Sequence, residues 1–598
     1  MALVDYSSLE ETVINTQHGM LVAFEEFLSQ HEVLDGLMKV RVDQRRRKYA
    51  PQTKLVEFLA TIMSGSERLE DINAGSHPLV KDWVVAQAWG QTGFAHYSTV
   101  SRTLDACTDT TVKEVEQIVQ AFGRPFIATT IDGLLRRGEA IVYDLDLTGQ
   151  GVSSTSTSYP EAAFGWMNDG VRLGYQLARV CLSPAGGERV WLAGFHHPGD
   201  RVSSKCLKEL VSAAEAQTGV RPRRRVELIG QRIEAHQEAL TRTQRLIDQQ
   251  HARVETLQET QVRLIGQIYH ATEVQKRVVS PQKLSFLQKQ HEAWGQRLPR
   301  LNKQIAQASQ VLGKHQTHLA QQASVLAQLL AWRIALEDDN RTNPNPPAYV
   351  EARMDAGFMS GENLTWLLEM GYCPNTKAPN DRTTVALRAR LGDTSQWVRV
   401  GLNAEMVVWD NYTLHGGPFP VTVALERFKV ADTYKYATLI HYRDDPSFPT
   451  LPVWFQRYND RQTIEAGNKE LKGTFFVQHL MTRSLAGIRL QVLFTGLAAN
   501  VVRWCVPWLK SCAPTPTPKL IHILSHPRAL IHVTANAAAL VQQSIGGIAM
   551  QFSQDGPLPG VTLFLRGIPA FQPALGLDRP CKINPRSTIC LPVAQTLR

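Results

Sequence analysis

EAIVYDLDLTG at residues 139–149, VRLGYQLARVCLSP at 171–184 and ERVWLAGFHHPG at 188–199 read as three β-strands, and SSKCLKELVSAAEAQTG at 203–219 reads as a helix. The strands are rich in β-branched and aromatic residues, and the turn AGG between the second and third predicts a hairpin. The helix has a serine available as its N-cap. Three strands and then a helix indicate an α/β domain that opens near residue 136.

The pattern stops near Arg221. From Val226 apolar residues recur at 3-4 spacing through Ile229, Ile233, Leu240, Ile247, Val254, Leu257, Leu264 and Ile268, and after VVSPQK through Leu284, Leu287, Trp294, Leu298, Leu301, Ile305, Leu312, Leu319, Leu326 and Leu329. Heptads on both sides of a Ser-Pro turn predict a long antiparallel coiled-coil hairpin, with arms of ~75 Å at 1.5 Å per residue. The seam accepts His236, Thr243, Gln250 and Gln261, and Pro299 predicts a kink or break in the second arm. Such a hairpin serves as an arm for DNA or a second subunit, or as a spacer.

The α/β pattern resumes in PPAYVEARMDAGFMSGENLTWLLEMGY, a strand ending at Asp355 followed by a turn and a helix opening at Ser360. TTVALRARL, WVRVGLNAEMVVWDNYT, FPVTVALERFKV and TYKYATLIHYR make residues 384–444 strand-rich, with no helix of useful length between them. Long helices follow at ~452–473 and ~477–509. PTPTP near residue 515 is a stiff linker or helix stop. Residues 1–135 read as helical. These readings divide the chain into 1–135, a helical N-terminal domain; 136–220, 341–383 and 448–510, three parts of an α/β core; 221–340, the coiled-coil insertion; 384–447, a β-rich insertion; and 511–598, a C-terminal region.

A chain of 598 residues with 43% hydrophobic content has ample core for several modules, and its net charge of +9 favours a polyanionic partner. The basic residues concentrate in KVRVDQRRRK at 39–48, including Arg45, Arg46, Arg47 and Lys48. In HYSTVSRTLDA a helix starting at Ser98 or Thr99 carries Ser101 and Arg102 outward, as the recognition helix of a helix-turn-helix does. An ordinary solvated basic segment has the same composition. The eight cysteines are scattered, with no CxxC pair or zinc spacing, which predicts reduced cytosolic thiols. There is no signal-peptide h-region and no uncharged run of ~18 apolar residues, so no membrane span is expected; VQHLMTRSLAGIRLQVLFTGLAANVVRWCVPWL reads as a buried core helix.

WFQRYNDRQTIEAGNKELKG at 454–473 carries the chemistry. On one helix at ~100° per residue, Tyr458, Arg461, Glu465 and Lys472 fall within ~60° of one another, and Asn468 shares their face. A carboxylate, two cations and a phenol on one face suit a site that holds a metal and grips neighbouring phosphates. A solvated helix with an i,i+4 Arg–Glu pair has the same spacing.

The pattern Y-x2-R-x3-E-x6-K resembles the signature of a large class of bacterial insertion-sequence DDE transposases. DLDLTG is similar to that family's D-x-T motif, and ARMDAGFMSGENLTWLLEMGY to its R-x-D-x-G-F … E-N-L segment. The resemblance covers roughly residues 139–220 and 345–510. It implies an RNase H-like catalytic core with a β-rich insertion, and Asp146, Asp355 and Glu465 as catalytic and metal-binding acids. Thr148 at the T position favours Asp146; Asp144, on the same strand face, is the alternate ligand. Two divalent ions, Mg²⁺ or Mn²⁺, are implied, with Arg461, Lys472 and Tyr458 on DNA phosphates. The resemblance also implies cleavage at insertion-sequence ends, strand transfer into target DNA, a homodimer in the paired-end complex and a cytoplasmic, nucleoid-associated protein. A nuclease that cuts without joining, or a DNA-binding protein derived from a transposase, uses the same sequence features. His196 and His197 follow a strand and read as a surface turn or, alternatively, as residues bordering the site; Trp397, Trp409 and Trp454 read as core residues or stacking platforms for a flipped base.

Overall fold

The structure, a computed structural model, describes residues 12–46, 48–167, 170–347, 349–378, 381–392, 396–442, 450–544 and 547–566. In chain order the elements are β1 (Thr12–Thr16), α1 (Gly19–Gln30), α2 (Val33–Leu37), α3 (Pro51–Met63), α4 (Trp83–Ala88), α5 (Tyr97–Asp105) and α6 (Asp109–Arg136). Then come β2 (Ile141–Gly151), β3 (Ala163–Met167), β4 (Gly170–Leu182), β5 (Val190–Pro198), α7 (Leu207–Thr218), α8 (Val226–Gln275) and α9 (Pro281–Arg341). The chain continues through β6 (Val350–Arg353), α10 (Gly361–Glu369), β7 (Cys373–Lys377), α11 (Asp381–Arg388), β8 (Val398–Arg399), β9 (Ala404–Thr413), β10 (Pro420–Val430) and β11 (Thr433–His441). It ends with α12 (Leu451–Asn459), α13 (Gln462–Thr474), α14 (Leu485–Cys512), α15 (Pro518–Leu524), β12 (Ala539–Ser544), β13 (Gly547–Phe552) and β14 (Thr562–Arg566). These elements form two compact units, one built from the chain up to Arg221, Pro347–Leu364 and the chain from Tyr372, the other from Pro222–Pro346 and Thr365–Gly371.

The first unit is mixed α/β. Its larger sheet runs β5-β4-β2-β6-β7-β11-β10-β9-β8, with β3 on the outer end of β4. β4 is antiparallel to β2 and β5, whereas β2, β6 and β7 are mutually parallel. Leu177 to Leu182 of β4 are buried without a break, as expected of a strand covered on both faces. Tyr143 meets Thr218 of α7 at 2.7 Å, and Asp146 bonds Asn468 of α13. Alternate strand residues point to opposite faces, so α7 and α13 cover opposite sides of β2. The helix predicted at 203–219 starts after a 3-10 turn at Ser203–Lys205, with Cys206 rather than a serine at its N-cap.

The strand-rich segment extends this sheet, since Leu439, Ile440 and His441 of β11 pair antiparallel with β7. TTVALRARL, expected as a strand, begins instead with the last residues of helix α11. Its β-branched start suggested a strand, yet only Thr384 and Leu387 are buried there, an i,i+3 spacing that suits a helix lying on the sheet. The helix expected at ~452–473 is two, α12 and α13. Around Asp460 and Arg461 the hydrogen bonds switch to three-residue spacing, with Arg461 N bonding Tyr458 O and Thr463 N bonding Asp460 O.

The N-terminal segment, expected to be helical, also contributes strand β1, which pairs with β12 in a second sheet of order β1-β12-β13-β14. The helices around it share a continuous core with the larger sheet through α14; Phe58 and Phe494 meet edge-on at 5.9 Å. Among the described residues α14 is long and apolar enough to cross a bilayer, yet 78% of its most apolar window is buried inside the protein, against β5, α6 and α3. It is a core helix. The six described cysteines are buried and none of them is in a disulfide; Cys581 and Cys590 lie outside the described residues.

The second unit is an antiparallel pair of α8 (50 residues) and α9 (61 residues). Gln250 bonds Ala308 O at 3.1 Å, Gln261 bonds Asn302 at 2.7 Å and Thr272 meets His291 at 3.3 Å, so polar seam residues find partners on the opposing helix. α9 runs unbroken through Pro299, which removes only one backbone donor from a long helix. At the base, Arg224 pairs with Asp339 at 3.0 Å, and Arg232 and Trp332 both hold Glu369.

Candidate functional site

Asp146 and Asp355 are brought level by strand register. β2 and β6 pair in parallel from Ile141↔Val350 to Asp144↔Arg353, and the same offset continued sets Asp355 beside Asp146 on the neighbouring strand. Asp355 lies just past β6, where its carboxylate accepts from Gly357 N at 3.0 Å and caps a 3-10 turn. Glu465 stands in the first turn of α13, paired with Arg461 at 2.6 Å.

The electrostatics tie the three acids together. The Asp146 carboxyl is pushed up to about 7, first by burial and then by the negative charges of Asp355 and Glu465, with Arg461 opposing. Burial works against the charge of Arg461, but Tyr458, Glu465, Asp355 and Asp146 together hold its proton more firmly than usual. Lys472 is pulled down by burial and by Arg179, while Asp146 favours its charge. Among the described residues no three His, Cys, Asp or Glu side chains are grouped closely enough to hold a metal ion as they stand. Each acid is engaged elsewhere: Asp146 with Asn468, Asp355 with Gly357, Glu465 with Arg461.

Asp144 has a different place. It is fully buried and takes both Arg353 Nε and Nη2, the latter at 2.7 Å, together with the Ser183 hydroxyl at 2.7 Å. Arg353 also donates to Arg457 O at 2.7 Å, and Arg457 reaches Glu351 at 2.8 Å. Asn375 joins Glu351 at 2.7 Å and receives Trp454 Nε1 at 3.2 Å. This buried network fastens α12 to the sheet, with both charges of Asp144 and Arg353 satisfied. Trp454 is thus a core residue.

Tyr458 is 6% exposed and packs with Met406, Ala424, Leu439 and Trp454, with Lys377 Nζ 5.2 Å from its ring. The helix break after Asn459 separates it from the continuous face predicted with Glu465. It borders the site through Arg461, whose guanidinium is 6.0 Å from the ring. Trp397 lies under Arg427 at 3.8 Å, and Trp409 pairs across the ladder with Val423. His196 and His197 form no surface turn: both lie in β5. His196 is buried against Tyr175, at 4.1 Å, and burial pulls it down to about 3, with Arg489 and His197 adding; His197 meets Glu209 at 3.0 Å.

Sequence reading missed Arg179 and Trp191. Arg179 sits across the ladder from Asp146 and bonds Asn468, and Trp191 packs beneath. A charged residue inside the apolar run YQLARVCL was the available signal. α13 approaches this surface closely at Gly467, where a Cβ would fall 2.1 Å from Arg189 Nη1 and 3.1 Å from Trp191.

The basic stretch at 39–48 is an irregular segment between α2 and α3, not a helix. Arg45, Arg46 and Lys48 are exposed, and Arg47 lies outside the described residues. Gln44 joins this segment to α5, accepting from Thr103 at 2.7 Å and donating to Arg102 O at 3.4 Å, so exposed Arg102 and the basic run share one surface. α5 starts at Tyr97, and residues 89–96 separate it from α4, a longer link than the tight turn of a helix-turn-helix.

No protein-family model matches the chain, and no curated protein matches it.

Proposed function

We propose that this chain is a DDE-type DNA transposase that cleaves the ends of an insertion sequence and joins them to target DNA. The observation that carries the reading is the strand register that sets Asp355 beside Asp146, with Glu465 near enough that burial first, and then the charges of Asp355 and Glu465, push the Asp146 carboxyl up to about 7. Three acids from two parallel strands and a helix, without histidine, form an all-oxygen donor set with surplus negative charge, which fits Mg²⁺ or Mn²⁺. The order β5-β4-β2-β6-β7, with only β4 reversed, supports an RNase H-like core, and the seam of α8 and α9 supports a coiled-coil hairpin.

Two divalent ions held by Asp146, Asp355 and Glu465 would activate a water or 3′-hydroxyl and neutralise charge at the leaving oxygen. The chain's own residues supply the rest. Glu465 reaches the other acids by leaving Arg461, and a DNA phosphate gives Arg461 a replacement anion, so substrate arrival and assembly of the acids are coupled. Lys472, poised between Arg179 and Asp146, takes a flanking phosphate. Arg45, Arg46 and Arg102 bind DNA outside the chemistry, where end recognition is needed. Pairing of two ends calls for a homodimer, with α8 and α9 as its assembly arm, acting on the nucleoid in the cytoplasm.

The test is incubation of the full chain with Mg²⁺ and a duplex carrying its element's own ends, with 3′ ends and joined products mapped. Cleaved and joined products are expected, and Asp355→Asn or Glu465→Gln abolishes both while DNA binding persists. Cleavage without joining would identify a nuclease, and binding with neither product a DNA-binding protein derived from a transposase.

A further inference from the structure

Beside Asp146 lies a buried cation outside the signature helix. Arg179, directly across the β2–β4 ladder, is 4% exposed, and its guanidinium sits 5.3 Å from the centre of the Trp191 ring. Nη1 donates to Asn468 Oδ1 at 3.3 Å, the one hydrogen-bond acceptor of this side chain among the described residues. Asn468, itself buried, donates through Nδ2 to Asp146 Oδ2.

Chemistry dictates the direction of this relay. A guanidinium has donors and no acceptor, so the amide oxygen of Asn468 faces Arg179 and its NH₂ faces the carboxylate. A flipped amide would set donor against donor and acceptor against carboxylate. Removing the guanidinium therefore takes away one of the two contacts that orient the Asn468 amide and leaves its buried oxygen without that donor, which loosens the contact that fixes the Asp146 rotamer. Neither residue need touch substrate for this to matter: hydrogen-bonded partners of metal ligands orient the ligand.

We propose that Arg179 and Asn468 are positioning residues that hold Asp146 in the rotamer with which it takes part in binding a divalent cation. The inference rests on the function proposed above, and its test needs no DNA. Mn²⁺ is titrated into the full chain, and free Mn²⁺ is read by electron paramagnetic resonance. The wild-type chain binds Mn²⁺, and Asp146→Asn abolishes binding. Arg179→Met and Asn468→Ala each weaken it by roughly 10–100-fold, and Arg179→Lys, which restores a donor, recovers part of the loss. Because Arg179 acts through Asn468, the double variant Arg179→Met/Asn468→Ala binds no more weakly than Asn468→Ala alone. Wild-type affinity in the single variants, or losses that multiply in the double variant, overturns the proposal. Should Arg179→Met fail to fold, Asn468→Ala and Arg179→Lys carry the same comparison. A wild-type chain that binds no Mn²⁺ overturns the functional reading and this proposal together; intact wild-type binding that depends on Asp146 but not on the relay overturns the proposal alone.

Discussion

Replacing Asp146 by asparagine removes a carboxylate whose negative charge the surrounding fold opposes. Its carboxyl is raised from 3.8 to about 7 by burial and by Asp355 and Glu465. At ~1.36 kcal/mol per pKa unit, ionising it in the fold costs at most about 4 kcal/mol above pH 7. The side chain is half-buried, and solvent screening reduces the expected gain to about 1–2 kcal/mol. Asparagine keeps an oxygen for Asn468, so that hydrogen bond survives. Between pH ~4 and ~7 the folded wild-type chain retains a proton that the unfolded chain has lost, so its stability falls as pH rises through that window and levels off above it. Asp146→Asn lacks this loss. In a chelator at pH 7.5 its melting temperature, read by scanning calorimetry, is about 1–2 °C higher than wild type, and the advantage fades towards pH 4. Saturating Mg²⁺ reverses the order, because a ligand that binds only the folded state stabilises the wild-type chain. A variant that melts at or below wild type in chelator, or an advantage as large at pH 4 as at pH 7.5, would refute the reasoning.

Asp144→Asn has the opposite sign: it strands buried Arg353 and costs about 3–5 kcal/mol, measurable by denaturant unfolding, and an unchanged midpoint would remove Asp144 from the structural network. Arg46→Ala and Arg102→Ala each weaken DNA binding and make the plot of log affinity against log salt shallower by about 0.9 per lost phosphate contact, with melting unaltered; an unchanged slope would clear that residue of phosphate contact. Replacing residues 226–340 with a short flexible linker leaves the first unit folded with its own cooperative transition, since α8 and α9 bury their seam in each other, and loss of that transition would show that the sheet depends on the insertion.

The local elements were legible wherever periodicity and punctuation agreed. The strand carrying Asp144 and Asp146 and the hairpin of β4 and β5 announce themselves by β-rich composition and the AGG turn, and the paired helices α8 and α9 by heptad spacing. TTVALRARL misled because a short amphipathic helix with a β-branched start has the composition of a strand; the sheet surface beneath Thr384 and Leu387 decided it. The break at Asp460–Arg461 was invisible because neither proline nor glycine marks it.

Long-range pairing lay beyond the sequence for a simple reason: it joins residues whose separation along the chain carries no local signal. Nothing near Thr12–Thr16 says that its partner is Ala539–Ser544, and the shared core of Phe58 and Phe494 is set by packing alone. That shared core also makes deletion of residues 1–135 a test of folding rather than of DNA recognition. The same holds at the site. The sequence by itself determined that Asp146, Asp355 and Glu465 occur in order on two strands and a helix, with Arg461 and Lys472 beside the last. It placed Asp144 and Asp146 on one strand face, where strand geometry does not separate them and only the resemblance to D-x-T favours Asp146. The tertiary structure gives the physical distinction, because β6 sets Arg353 across from Asp144 and β4 sets Arg179 across from Asp146. The buried charge of Arg353 consumes the first acid, while Arg179, held at one remove through Asn468, leaves Asp146 within reach of Asp355 and Glu465.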